Sequence, residues 1–290
     1  MISTLTAQLA DYGRLMRFDK PIGTYLLLWP TLWSLWIAAE GFPDERIFLI
    51  FVLGVIMMRA AGCIINDFAD RNIDTQVERT RNRPLATGDI STLEAICLFV
   101  ILVGLSFSLV LLTNTLTIGL SVIAVLLASM YPFMKRFTYL PQVILGAAFS
   151  MSIPMAFAAQ TGDVPHYVWL IYFANLIWTV AYDTIYAMVD RDDDLKVGVK
   201  STAILFGDAD KLIIFALQMI MLLIFIVLSA RLNLTHWFYF SLCIVLLLFS
   251  YQQYLIKDRT RNECFQAFLH NHWVGLVIFI GLLLNYGFGR

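Results

Sequence analysis

Apolar residues in this chain come in long unbroken runs, not in the narrow stripes of a soluble helix. A helix needs roughly 20 apolar residues to cross about 30 Å of hydrocarbon. Runs of that length recur at about 22–40, 46–65, 93–112, 115–133, 142–160, 167–188, 211–230, 236–255 and 272–288, which predicts nine spanning helices. The fifth contains Pro154, and proline inside a helix removes a backbone donor and crowds the preceding turn, so a kink is expected there. Only Thr113 and Asn114 separate the third and fourth runs, which predicts an antiparallel hairpin. Ser91 and Glu94 have the spacing of a capping box at the start of the third. The ninth run is short. No linker or low-complexity segment divides the chain, so the expected architecture is all-α, one polytopic domain over residues 1–290.

The basic residues test that count independently. Sixteen of them fall in segments on the side of the N-terminus: Arg14, Arg17 and Lys20; Arg71, Arg79, Arg81 and Arg83; Lys135 and Arg136; Arg191, Lys196, Lys200 and Lys211; Lys257, Arg259 and Arg261. The opposite side holds only Arg46, Arg231 and Arg290, and Arg59 lies inside the second run. Positive charge accumulates on the cytoplasmic side. The expectation is therefore a cytoplasmic N-terminus, long cytoplasmic loops at about 67–91 and 189–210, and a C-terminus outside.

Composition agrees: 60% hydrophobic and 14% charged, against about 45–50% and about 25% in soluble domains. The net charge of −1 singles out no partner. Cys63, Cys97, Cys243 and Cys264 form no CxxC pair and read as reduced thiols in apolar surroundings. The first twenty residues mix Asp11 and Asp19 with Arg14, Arg17 and Lys20, unlike a secretory signal or a transit peptide. Trp29, Trp33, Trp36, Trp237, Phe238 and Tyr239 crowd helix ends, as interfacial anchors do.

Against this background two acidic stretches stand out. Asn66, Asp70 and Asp74 are spaced by four, which on a helix aligns them along one face about 5–6 Å apart, with Asp67 one residue round. Tyr186, Asp190 and Asp194 repeat the spacing, and Asp183 lies one turn earlier. Carboxylates aligned near lipid repel one another and lose solvation unless something cationic offsets them. Mg2+ suits the pattern, because it is usually held by one or two carboxylates plus substrate phosphates. Solvated helix ends are the plainer explanation, and they fit one aspartate better than two sets on the same side; Asp192 and Asp193 suit either account. Arg79, Arg81 and Arg83 follow the first set, and arginine suits diphosphate oxygens through bidentate hydrogen bonds; Lys196 and Lys200 are candidates from the second loop. Arg59 is eleven residues before Asp70, near the same face, and an intramembrane arginine faces a cavity or a partner. It is a candidate for the anionic group of a second substrate, in competition with Lys135 and Arg136. His166, His236, His270 and His272 are scattered and read as non-catalytic. No zinc spacing, Walker loop or nucleophile–base signature appears, and nothing points to nucleic acid or an obligate protein partner.

Asn66-x-x-x-Asp70-x-x-x-Asp74, Arg79 to Leu85, and Tyr182-Asp183-x-x-Tyr186-Ala187-x-x-Asp190-Arg191-x-Asp193 resemble the UbiA superfamily of intramembrane prenyltransferases. Arg17 to Gly23, Tyr131 to Arg136, and Lys200 to Ala203 with Leu205 to Gly207 are similar to its bacterial 4-hydroxybenzoate branch. The resemblance spans nearly the whole chain. It implies nine helices around a central cavity with a cytoplasmic cap, in a bacterial inner membrane. It also implies metal-binding positions at Asn66, Asp70, Asp74, Asp190 and Asp194, of which the four aspartates would be catalytic, and diphosphate-binding arginines at Arg79 and Arg83. A polyprenyl diphosphate would lie with its head at the aspartates and its tail in an apolar channel open to the bilayer. With Mg2+ present, its prenyl group would pass to the carbon ortho to the phenol of 4-hydroxybenzoate, a step of ubiquinone biosynthesis. Arg59, Lys135, Arg136, Asp183 and Tyr186 would surround the aromatic substrate, and a carboxylate such as Asp190 would assist loss of the ring proton. Three other readings stay open at this stage: a naphthoate or porphyrin acceptor, a divalent-cation transporter using the aspartates as its path, and a non-catalytic scaffold. Against transport, such sites typically lie near the bilayer midplane, whereas these acids sit at one end.

Overall fold

A computed structural model describes residues 2–76 and 79–288. Its helices are α1 (Ile2–Leu15), α2 (Ile22–Ala39), α3 (Glu45–Asp70), α4 (Pro84–Thr87), α5 (Thr92–Val110), α6 (Thr115–Met134), α7 (Pro141–Ser150), α8 (Ser152–Thr161), α9 (Val168–Val197), α10 (Thr202–Phe206), α11 (Asp210–Arg231), α12 (His236–Leu255) and α13 (Arg261–Phe288). Among the described residues there is no strand, and nine spans are long and apolar enough to cross a membrane. One of these is α7 with α8, and another is α10 with α11. Arg290, counted above on the outer side, lies outside the described residues.

Local signals account for several boundaries. Asp44 accepts from the Arg46 and Ile47 amides at the start of α3, and Asn114 accepts from the Thr117 amide at the start of α6. Both satisfy donors that a helix N-terminus leaves unpaired. The Ser91–Glu94 capping box is present. The expected kink at Pro154 is the break between α7 and α8, centred on Met151. Proline at 154 has no N–H for the Ser150 carbonyl and crowds it.

Three helices exceed their apolar runs. α3 continues to Asp70, α9 to Val197, and α13 begins at Arg261 instead of 272. In the added turns of α13, Cys264, Ala267, Phe268 and Asn271 are buried, the i, i+3, i+4, i+7 pattern of an amphipathic helix on protein. α1 also lies outside the predicted spans. Its Leu15 is buried against Ile64, Ile90 and Ala95, packing it beside the α3 end that carries the first acidic set.

α9 is the central helix, with 72% of its most apolar window buried against 11% for α5. Beside it Trp33 packs against both Trp178 and Phe225, each ring centroid 5.6 Å from its own. The indole N–H of Trp33 donates to the Gly275 carbonyl (2.9 Å) and that of Trp178 to Asn271 (3.0 Å). Polar atoms at this depth have no water to turn to, so such bonds tie helices together.

Candidate active site

The ends of α3, α6 and α9 enclose a polar pocket of about 130 Å³. Asn66 and Asp70 reach it from the last turns of α3, and Asp183, Tyr186, Asp190 and Asp194 line it from α9. Asp74 also lines the pocket, but by a different route from the expected one. α3 stops at Asp70, the chain turns, and the Ile73 amide donates to the Asp70 carbonyl at 2.7 Å. Asp74 therefore opens a 3-10 turn, Asp74–Gln76, and folds back to the site instead of continuing the helical face.

Four cations from three segments meet these aspartates. Lys135, just past α6, pairs with Asp70. Arg79 binds Asp190 through two nitrogens, Nε at 3.0 Å, and also donates to the Tyr186 hydroxyl while lying over its ring. Arg83 bridges Asp74 (2.9 Å) and Asp67 (3.0 Å). Arg17, with a left-handed φ of 59°, sends two hydrogen bonds to Asp67, whose side chain is 1% exposed. Burial pushes the Asp74 carboxyl up to about 6 against the pull of Arg83, with the charges of Asp70 and Asp67 adding to the shift. Asp74 thus holds a proton more readily than a free carboxylate and is crowded by negative charge.

That crowding, with one orphaned atom, is what a cation would relieve. Asp70 Oδ1 is buried with no hydrogen-bond partner. Asp194 lines the pocket without a side-chain hydrogen bond or ion pair to any described residue. No three carboxylate, imidazole or thiol groups among the described residues form a protein-only cage. Two facing sets that each offer one or two carboxylates suit a cation that takes its other ligands from phosphate and water.

A second, apolar cavity of about 330 Å³ lies between α3, α5, α6, α7 and α8, with Leu27 of α2 also on its wall. Phe51, Val55, Met58, Val103, Val125, Leu145 and Phe149 are among its walls. Phe107, Val122 and Leu126 line it too, yet are 39%, 50% and 58% exposed, so its rim faces the hydrocarbon side of the bundle. Tyr131 lines both spaces.

Of the three cations considered for the second substrate, only Arg59 lines the apolar cavity. Lys135 belongs to the polar pocket, held by Asp70. Arg136 turns away and donates to the Ala69 carbonyl at the end of α3, where a cation suits the carbonyl end of the helix dipole. Lys196 does not reach the polar pocket either: its side chain is 74% exposed beside Asp193, on the solvent side of α9. Lys200 edges the pocket, but its ammonium donates to the Phe137 carbonyl at 3.3 Å and lies over the Tyr139 ring. Its amide donates to the Lys135 carbonyl at 3.1 Å, joining the loops after α6 and α9. Arg17 and Tyr131 were not singled out from the sequence. Arg17 reads there as one of many cytoplasmic basic residues, and Tyr131 as the end of an apolar run.

Residues 27–279 match the model of the UbiA prenyltransferase family. A 4-hydroxybenzoate octaprenyltransferase of Saccharophagus degradans is 59% identical over 97% of this chain and 94% of its own length. One of Ectopseudomonas mendocina is 59% identical over 95% and 93%. Among solved structures, the apo form of a UbiA homolog from Aeropyrum pernix superposes with a TM-score of 0.80 at 24% identity, over 90% of this chain and 97% of that one. A UbiA homolog from Archaeoglobus fulgidus, bound to GPP and Mg2+, superposes with a TM-score of 0.73 at 17% identity, over 94% and 99%.

Proposed function

The chain belongs to the UbiA prenyltransferase family, and from that premise we propose that it transfers a polyprenyl group from polyprenyl diphosphate to the carbon ortho to the hydroxyl of 4-hydroxybenzoate. The observation that carries this reading is a charged pocket and an apolar cavity, rimmed at the bilayer, that share Tyr131 as a wall. A substrate with a diphosphate head and a hydrocarbon tail has that same division. The names of the similar enzymes support the acceptor and a long donor.

In this reading the donor's C1 lies near Tyr131, with its diphosphate among Arg79, Arg83 and Lys135. These cations exchange aspartate partners for phosphate oxygens, forming charge-assisted hydrogen bonds. They then stabilise the charge that develops on the departing diphosphate, which is electrostatic preorganisation. A divalent cation, Mg2+ in this proposal, would be held by Asn66, Asp70, Asp74, Asp190 and Asp194 and would supply Lewis-acid neutralisation of that leaving group. Arg59 takes the acceptor's carboxylate. The C1–O bond breaks, a bond forms from C1 to the ring carbon, and the ring proton leaves to restore aromaticity. Asp190, a ligand of the cation in this reading, is poorly placed to receive that proton. Asp183 lines the same pocket without an ion pair and suits the role better. The proposed setting is a bacterial inner membrane, with the N-terminus and the pocket cytoplasmic and the C-terminus periplasmic, as the basic residues argue.

The test is transfer of a radiolabelled prenyl group by purified protein, with chelator or with Mg2+, beside Asp70→Ala and Asp190→Ala. Metal-dependent product on 4-hydroxybenzoate is expected, falling by about 10²–10³-fold or more in each variant. Product only with a naphthoate or porphyrin acceptor would move the substrate and keep the chemistry. Product from no acceptor would sink the reading.

A further inference from the structure

Gly23 is buried in the first turn of α2 and has an ordinary backbone, outside the positive-φ glycines of this chain. Glycine is a poor helix former, so a helical glycine whose backbone does not require it points to a demand for space. A Cβ at this position would collide with Nε, Nη2 and Cζ of Arg59. The guanidinium therefore lies directly on the bare α-carbon. Other tight glycines differ in what they meet: the rigid indole of Trp29 at Gly275, and the Leu176 backbone at Gly146. Those serve helix–helix packing. At Gly23 the neighbour is the far end of a flexible charged side chain, which can swing aside without disturbing the fold but cannot then keep its place.

That place matters because Arg59 lines the apolar cavity with no hydrogen bond or ion pair to any described residue. Tyr131, Tyr182, Tyr186 and Cys63 surround it electrostatically, and Asp183 acts on it without forming an ion pair. A cation so presented is ready for an incoming carboxylate. We infer that Gly23 is a positioning residue for the acceptor: its missing side chain seats the Nε–Nη2 edge of the Arg59 guanidinium against α2, leaving the rest of the group at the cavity where an aromatic carboxylate binds. This rests on the reading of Arg59 as the acceptor's carboxylate partner. Planar two-point recognition of a carboxylate tolerates little displacement of the guanidinium.

A double-mutant cycle tests it, with Gly23→Ala, Arg59→Ala and their combination assayed for KM of both substrates and for thermal stability in detergent. Gly23→Ala is expected to raise the acceptor KM by about ten- to hundredfold, the loss of a charge-assisted contact. The prenyl diphosphate KM and the melting midpoint should stay unchanged. With 4-hydroxybenzaldehyde, which lacks the carboxylate, the effect should vanish. In the Arg59→Ala background, adding Gly23→Ala should change nothing, because the colliding atoms are gone. An unchanged acceptor KM in Gly23→Ala, or an equal rise with both acceptors, would overturn the role of Gly23. An unchanged acceptor KM in Arg59→Ala alone would instead overturn the reading of Arg59. Should Gly23→Ala alone not fold, a stable double variant supports the proposal, and an unstable one makes Gly23 a packing residue.

Discussion

Asp67 accepts two hydrogen bonds from Arg17 and pairs with Arg83, and its carboxylate is almost wholly removed from solvent. Arg83 also binds Asp74. A chain of four charges thus runs from the N-terminal segment to the turn after α3. Breaking a buried pair from one side leaves an uncompensated charge, typically at a cost of 3–5 kcal/mol. Because Arg17 and Arg83 keep some solvent contact, Asp67→Ala should cost about 3 kcal/mol, read as a lower unfolding midpoint in detergent. Arg17→Ala should cost less, since Asp67 keeps Arg83. Equal losses would mean that Arg83 contributes nothing to holding Asp67. This chain of charges was not legible in the sequence. The four-residue spacing marks Asn66, Asp70 and Asp190 as members of a face, but nothing in it says that residue 17 reaches residue 67, or that Lys135 takes Asp70 while Arg136 turns to a carbonyl.

Helix ends decide what the spacing becomes. Apolar runs mark the membrane portion of each helix, and all nine were legible for that reason. The turns beyond the bilayer were not, since they mix polar and apolar residues and carry no continuous hydrophobic signal. α9 therefore runs nine residues, about two and a half turns, past its predicted end and keeps Asp190 and Asp194 on a helix, whereas α3 stops short of Asp74. The stop of α9 is Gly198, with φ 74°, and the amides of Gly198 and Val199 both return to the Asp194 carbonyl. A side chain in left-handed backbone costs about 1 kcal/mol. Gly198→Ala should lower stability by about that much. By loosening the turn that fixes Asp194, it should also raise the Mg2+ concentration for half-maximal rate while leaving the acceptor KM unchanged. A shift in acceptor KM instead would place the end of α9 beside the ring and not at the cation.

At the scale of the whole molecule, the two spaces divide the work between solvents. The polar pocket opens where ions and a small carboxylate arrive from water, and the apolar cavity has its rim at Phe107, Val122 and Leu126, against lipid. At about 330 Å³ the cavity is roughly twice the 150 Å³ that holds one benzene. A long prenyl chain must therefore leave most of its length among the acyl chains. The donor is consequently met in two dimensions, and its effective concentration is a mole fraction of the bilayer, not a quantity per volume. Diluting proteoliposomes with buffer at constant lipid composition should leave the rate per enzyme unchanged. Diluting the donor with added phospholipid at constant volume should slow it in proportion. For such an enzyme the supply of hydrocarbon substrate is set by the crowd in the membrane around it.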